Sequence, residues 1–144
     1  MTTLNLTRPR ERGMTLIEIL VVLVLIGVVM GIVGSKFIGQ GEKAKADAAK
    51  IEINQIGNTL DLFKLEVGHY PTTSEGLQAL ISAPSGATNW NGPYWKNATL
   101  PKDPWGHEYK YSSPGTKGTA YDIVSLGADG REGGEGPNKD IANN

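Results

Sequence analysis

Two stretches of this 144-residue chain hold residues whose type and spacing could do chemistry. The first is "ERGMTLIEILVVLVLIGVVMGIVG", Glu11 to Gly34, in which Glu18 is the one ionisable side chain in the 18 residues from Leu16 to Val33. A charge at the centre of a bilayer costs about 2.5–3.5 kcal/mol on insertion scales. Near the end of such a segment snorkelling lowers that cost, so an incidental edge carboxylate and a carboxylate awaiting a cation are both open readings. The second stretch is the tail, "SLGADGREGGEGPNKDIANN". Gly127, Gly130, Gly133, Gly134 and Gly136 leave its backbone free to point carbonyls inward, and Asp129, Asn138 and Asp140 add side-chain oxygens. Hard oxygen ligands, about six to eight of them with several from backbone, are what Ca²⁺ selects. No His or Cys stands nearby to favour zinc. The spacing matches neither an EF-hand loop nor a regular RTX repeat, so a solvated tail explains the same composition equally well.

Catalytic chemistry has little to build on. His69, beside Tyr70-Pro71, and His107, in "WGHEY", show no triad or metal-ligand spacing, which suits hydrogen-bonded or packing histidines. Trp90, Trp95 and Trp105 could form a sugar platform, but packing in a core or loop is the simpler account. We therefore expect no enzyme and no small-molecule substrate. The formal charge of −1 hides an asymmetry: residues 1–13 carry a net +2 and the remainder a net −3. Nothing resembles the basic face needed to neutralise phosphates, which excludes nucleic acid as a partner. The absence of Cys removes disulfides as a staple and leaves the redox compartment open.

The elements that must position these residues follow from periodicity. Length suits one small domain plus appendages. Leu16–Val33 matches the roughly 17–25 apolar residues needed to span hydrocarbon. Arg8, Arg10 and Arg12 before it predict a cytoplasmic N-terminus, with residues after about Lys36 on the far side, the periplasm in a Gram-negative cell. A conventional cleaved signal peptide is disfavoured, because the first A-x-A, Ala44-Lys45-Ala46, lies too far downstream. Ala49, Ile53, Ile56, Leu60, Phe63 and Val67 recur at steps of four and three, the buried face of an amphipathic helix. A helix continuous from Thr15 to Val67 would measure about 80 Å. Gly27, Gly31, Gly34, Gly39 and Gly41 weaken it and predict local melting between Gly31 and Gly41. Beyond Gly68, a short helix is expected near Ser74, with Ser74 as its N-cap. Strands are expected at Glu108–Ser112 and Tyr121–Ser125, joined as a hairpin around Pro114, Gly115 and Gly118.

"RGMTLIEILVVLVLIG" resembles the class III signal of type IV pilins and pseudopilins. The resemblance implies that a prepilin peptidase cuts between Gly13 and Met14, removing residues 1–13, and methylates the new amine of Met14. Glu18 then becomes the fifth mature residue. That α-amino group, with a pKa of about 7.7–8.0, is the missing cation: the amine of one subunit meets Glu18 of a neighbour and sets their register. Met14 stands where Phe is commoner, and Ser35 stands near where many relatives carry Pro. "YPTTSEGLQALISAP", "LPKDPWGHEYKY" and "YDIVSLGADG" are similar to the major pseudopilin family of the type II secretion system, the general secretory pathway protein G family. The similarity extends from about Arg12 to Ile141 and is weakest over the loop Ser85–Thr99.

That resemblance implies an α+β, pilin-like fold: a long N-terminal helix over 14–67, with 14–36 as the membrane and polymerisation segment. The helix packs on a small antiparallel sheet within 68–144, which ends in a C-terminal calcium loop. It implies Ca²⁺ held by the Leu126 carbonyl and the Asp129 carboxylate, with Asp140, Asn138 and the Arg131 carbonyl as further ligands. The clamp would stand where type IV pilins proper usually carry a disulfide. The implied function is a structural subunit of a periplasmic fibre that drives folded proteins outward. Its implied partners are copies of itself, minor pseudopilins, an inner-membrane assembly platform and the peptidase. Two alternatives stay open: a type IV pilus subunit, opposed by the missing Cys pair, and a membrane-anchored Ca²⁺-dependent binding module.

Overall fold

The structure, a computed structural model, describes residues 13–143, with the backbone alone described at 35–38. The Arg-rich head, and with it all of the expected leader except Gly13, lies outside the described residues. By its internal contacts the chain divides into two units, residues 1–39 and 40–144.

One helix, α1, runs from Leu16 to Val67 over 52 residues. Its start is set by a reciprocal pair. Thr15 N donates to Glu18 Oε2 at 3.4 Å, and Glu18 N donates to Thr15 Oγ1 at 3.3 Å. This T-x-x-E arrangement gives Thr15 N, a donor that a helix start leaves without a partner, an acceptor, and gives Glu18 N a second one beside Thr15 O at 3.0 Å. The melting predicted between Gly31 and Gly41 is not found, since α1 is continuous through that stretch. A glycine lowers helix stability but keeps its N–H and C=O, and an established helix adds one hydrogen bond per residue as it propagates. The first unit is apolar enough to cross a membrane, with an 18-residue window of mean hydropathy 3.1. Its large side chains from Leu16 to Val33 are exposed.

In the second unit the expected stripe is the core. Ala49, Ile53, Ile56, Leu60 and Phe63 are at most 1 % exposed, with Val67 packed at the margin. They pack with Leu77, Leu80, Tyr109, Ile123 and Ile141. Burying such a stripe, at about 25 cal/mol per Å² of apolar surface, is the main drive for folding here.

Three short strands cover that face: β1 (Lys110–Ser112), β2 (Asp122–Ser125) and β3 (Ile141–Ala142), in the order β1-β2-β3 and all antiparallel. Tyr111 pairs with Ile123, and Ser125 with Ile141. The hairpin is the expected one, trimmed at its start: Glu108 leaves β1 and forms an isolated bridge with Lys102. β3 has no counterpart in the sequence reading. Two residues carry no alternation to detect, and only pairing with β2 makes them a strand.

The short helix differs from expectation as well. It is a 3₁₀ turn at Leu77–Leu80, and Ser74 does not cap it. Thr72 holds the preceding turn instead, its N donating to Glu75 Oε2 at 2.7 Å while Glu75 N donates to Thr72 Oγ1 at 3.3 Å. Gly76, at φ 62°, then separates that turn from the 3₁₀ segment.

Polar contacts align the second half of α1 with the loops. Trp105 Nε1 donates to Glu42 Oε2 at 2.7 Å, and the hydroxyls of Tyr109, Tyr70 and Tyr94 donate to Glu52, Asp61 and Glu66 at 2.6, 2.8 and 2.7 Å. The bond to Asp61, with burial behind it, pushes the Tyr70 pKa up to about 12. The Trp105 indole and Lys45 hold Glu42 below its ordinary 4.5, and three hydrogen bonds from Thr116 and Thr119 hold Asp122 below 3.8. A carboxyl lowered on folding contributes stability that is present above its unfolded pKa and is lost as pH falls through the folded one. Thermal melts should therefore show the unfolding temperature falling as pH drops below about 4.5. Asp122→Asn should flatten the lower part of that fall.

Candidate functional site

At the N-terminal end, Gly13, Met14 and Thr15 precede α1, and no atom crowds the position a Gly13 side chain would occupy. Met14 is 71 % exposed, and Glu18 is exposed one turn into the helix. Among the described residues Glu18 forms no ion pair, and the one hydrogen bond of its carboxylate comes from Thr15 N. The carboxylate is thus oriented toward the helix start, on the same end of the chain as Met14. The sequence reading missed this capping role, although T-x-x-E before an apolar run is its local signature.

The tail folds back on itself rather than trailing into solvent. Ala128 N donates to Pro137 O at 3.0 Å, and Gly133 N donates to Asp140 Oδ2 at 2.8 Å. Two glycines are required by this packing. Gly127, at φ 66°, would place a Cβ 2.9 Å from Pro137 O, and Gly134, at φ 90°, one 2.6 Å from Asn138 O. The fold therefore brings together Gly127, Gly133, Gly134, Asn138 and Asp140. Asp129 and Arg131 lie exposed on the same loop, joined by a bond from Arg131 N to Asp129 Oδ1 at 3.2 Å. Leu126 is buried at its base.

Whether this loop suits a hard cation turns on its donors. Every expected ligand offers oxygen, and Asp140 Oδ1 is buried with no hydrogen-bond partner. An unpartnered buried carboxylate oxygen is costly unless something cationic meets it. No group of three or more His, Cys, Asp or Glu side chains is placed to hold a metal among the described residues, so carbonyl oxygens would have to complete any shell. That mixture of few carboxylates and several carbonyls fits Ca²⁺ better than a transition metal.

Sequence reasoning overlooked the support beneath this loop. Asp103, 4 % exposed, accepts from Trp105 N at 3.1 Å, His107 N at 2.8 Å and Ser125 Oγ at 2.6 Å. His107 Nδ1 lies 3.1 Å from Gly127 O, and a Cβ on Gly130 would sit 3.0 Å from His107 Nε2. The "DPWGH" turn thus buttresses the start of the tail. Asp-Pro is a local turn signal, but its partner Ser125 lies 22 residues away. The tryptophans are packed as expected: Trp90 Nε1 donates to Ala79 O at 2.9 Å, and all three rest against the core cluster.

Comparison with known proteins decides the relationship. The profile of "Type II secretion system (T2SS), protein G" matches residues 36–144, and that of "Prokaryotic N-terminal methylation motif" matches residues 8–34. The chain belongs to the type II secretion system protein G family. Core protein G of Vibrio cholerae is 45 % identical over 137 residues, covering 93 % of this chain and 92 % of that protein. Core protein G of Pseudomonas aeruginosa is 44 % identical over 140 residues, covering 94 % and 96 %. In three dimensions the chain is similar to the major pseudopilin of the type 2 secretion system of enterohaemorrhagic Escherichia coli. That crystal structure aligns with a TM-score of 0.63 at 34 % identity, over 74 % of this chain and 91 % of the other. The long helix on a small antiparallel sheet is therefore a pseudopilin fold.

Proposed function

We propose that the chain is the major structural subunit of a pseudopilus in a type II secretion system, polymerising into a fibre whose growth drives folded proteins outward. The observation that carries this is the joint match of a methylation motif over residues 8–34 and protein G over residues 36–144. Its action is mechanical rather than catalytic. Residues 1–13 are the leader, removed by a prepilin peptidase between Gly13 and Met14. The apolar half of α1 holds the precursor in the inner membrane, N-terminus cytoplasmic and residues after about 36 periplasmic, as the basic head favours. The amine freed at Met14 meets Glu18 of the next copy. Minor pseudopilins and an inner-membrane platform are its further partners.

Blocking the first step tests this reading against a simple anchored binder. Gly13→Ala should leave the full-length chain in the membrane and abolish fibres seen by electron microscopy. Fibres assembled from uncleaved chain would contradict it.

In the tail, Ca²⁺ would be held by Asp140 and Asp129 with the carbonyls of Leu126 and Arg131 and the side chain of Asn138. The support for this reading is the buried oxygen of Asp140 and the inward fold of the loop. The ion supplies charge compensation and a clamp on the loop. Binding to the folded state alone stabilises it by about 2.7 kcal/mol at a hundredfold excess over Kd. At about 4–8 °C per kcal/mol for a unit of this size, added Ca²⁺ should raise the melting temperature by on the order of 10 °C over chelator. Asp129→Ala and Asp140→Ala should each erase that difference, and equal melts of the parent chain with Ca²⁺ and with chelator would contradict the assignment.

A further inference from the structure

In the second unit, the large hydrophobic side chains left exposed among the described residues are three: Ile51 at 60 %, Leu62 at 45 % and Leu65 at 81 %. All lie on α1. At about 100° per residue they fall within a sector of roughly 60°, opposite the buried stripe of Ile53, Ile56, Leu60 and Phe63. Gln55 and Asn58 complete the same face, so this is a mixed ridge of apolar and neutral polar groups with no charge at its centre. Scattered single apolar residues on a surface need no explanation, but every one of them on a single helix face does.

The surroundings of the ridge indicate what covers it. Two grooves flank it and share Gln55: one of about 530 Å³ against Tyr94–Asn97, and one of about 300 Å³ against Lys102 and Pro104. Lys96 and Lys102, at their rims, are exposed and form no salt bridge among the described residues. The second unit as a whole carries three more acidic than basic side chains, 13 against 10. Glu135, in the tail and off this face of α1, is among those that stand exposed without a salt bridge among the described residues. Another copy therefore offers the negative charge that the rim lysines lack. A fibre subunit must present two different patches, because head-to-tail contacts that do not close repeat along the polymer.

We propose that the outer face of α1 from Ile51 to Leu65, with Lys96 and Lys102 at its rim, is the surface by which the periplasmic part of one subunit packs on a second copy. This rests on the fibre-subunit reading above and adds the contact surface to it. The apolar ridge supplies burial, the amides of Gln55 and Asn58 accept imperfect register, and the lysines favour acidic groups of the neighbour.

The test uses the full chain in a strain that assembles fibres. The triple variant Ile51→Gln, Leu62→Gln, Leu65→Gln should lower sheared-fibre yield at least tenfold while the melting temperature of the detergent-solubilised chain stays within about 2 °C of the parent. A benzoylphenylalanine placed at Leu65 should crosslink, on irradiation of fibres, into a species of twice the chain mass containing only this chain. The same probe at Lys117, exposed in the hairpin turn, should not. Unchanged fibre yield in the triple variant, a matching loss of monomer stability, or crosslinks only to a different protein would each overturn the assignment. A parent chain that makes no fibres at all would instead sink the fibre-subunit reading, and this proposal with it.

Discussion

Glu18→Gln should leave the leader removed and the chain in the membrane, yet reduce fibres to background. The choice of glutamine separates two roles. At the third helical position Gln caps as Glu does, so the exchange with Thr15 survives and α1 still starts where it does. What disappears is the negative charge. In the proposed fibre the freed Met14 amine would leave water, and an uncompensated ammonium in an apolar layer would be costly enough to stop subunit addition. On the proposed pairing, adding a subunit would depend on the acid of its neighbour, and one in the wrong register would leave two bare charges instead of none. Fibres would be counted by electron microscopy after shearing, and cleavage followed by the mobility of the chain. Normal fibre numbers in Glu18→Gln would remove the electrostatic account of register while leaving the family assignment untouched.

Phe63→Ala should cost about 3–5 kcal/mol of stability, the usual range for emptying a buried phenylalanine site. Phe63 is fully buried and meets Tyr94 edge-on at 5.5 Å and His69 at 6.4 Å, so truncation removes contacts on two sides. The loss is large beside the roughly 5–15 kcal/mol that holds a typical domain together. Leu65, two residues on and 81 % exposed, is the matched control: Leu65→Ala should change monomer stability by no more than about 0.5 kcal/mol. Chemical denaturation of the solubilised chain measures both. Equal costs at the two positions would mean that α1 does not present its stripe to the sheet.

These two positions also show where sequence alone suffices. Phe63 and its neighbours at steps of three and four were legible as a core face because a helix repeats every 3.6 residues, and the structure buries them. Glu18 stood out because a charge is rare in an apolar run. What stayed hidden joins distant residues. Glu42 and Trp105 are 63 positions apart, Glu52 and Tyr109 are 57 apart, and neither pair leaves a periodic trace. β3 was invisible because two residues have no period. The cap at Ser74 was placed too late because Ser74 and Thr72 are equally good cap types, and only Glu75 reaching back to Thr72 N distinguishes them. In the tail, composition suggested oxygen ligands, whereas the inward turn of Asp140 depends on the bond from Gly133 and could not be read from spacing.

The intact mass of the chain recovered from membranes of a strain carrying the secretion machinery bears most directly on its being a processed fibre subunit. The account predicts a species that begins at Met14 and carries one added methyl group. A mass equal to residues 1–144, with the arginine-rich head still attached in assembled material, would contradict it.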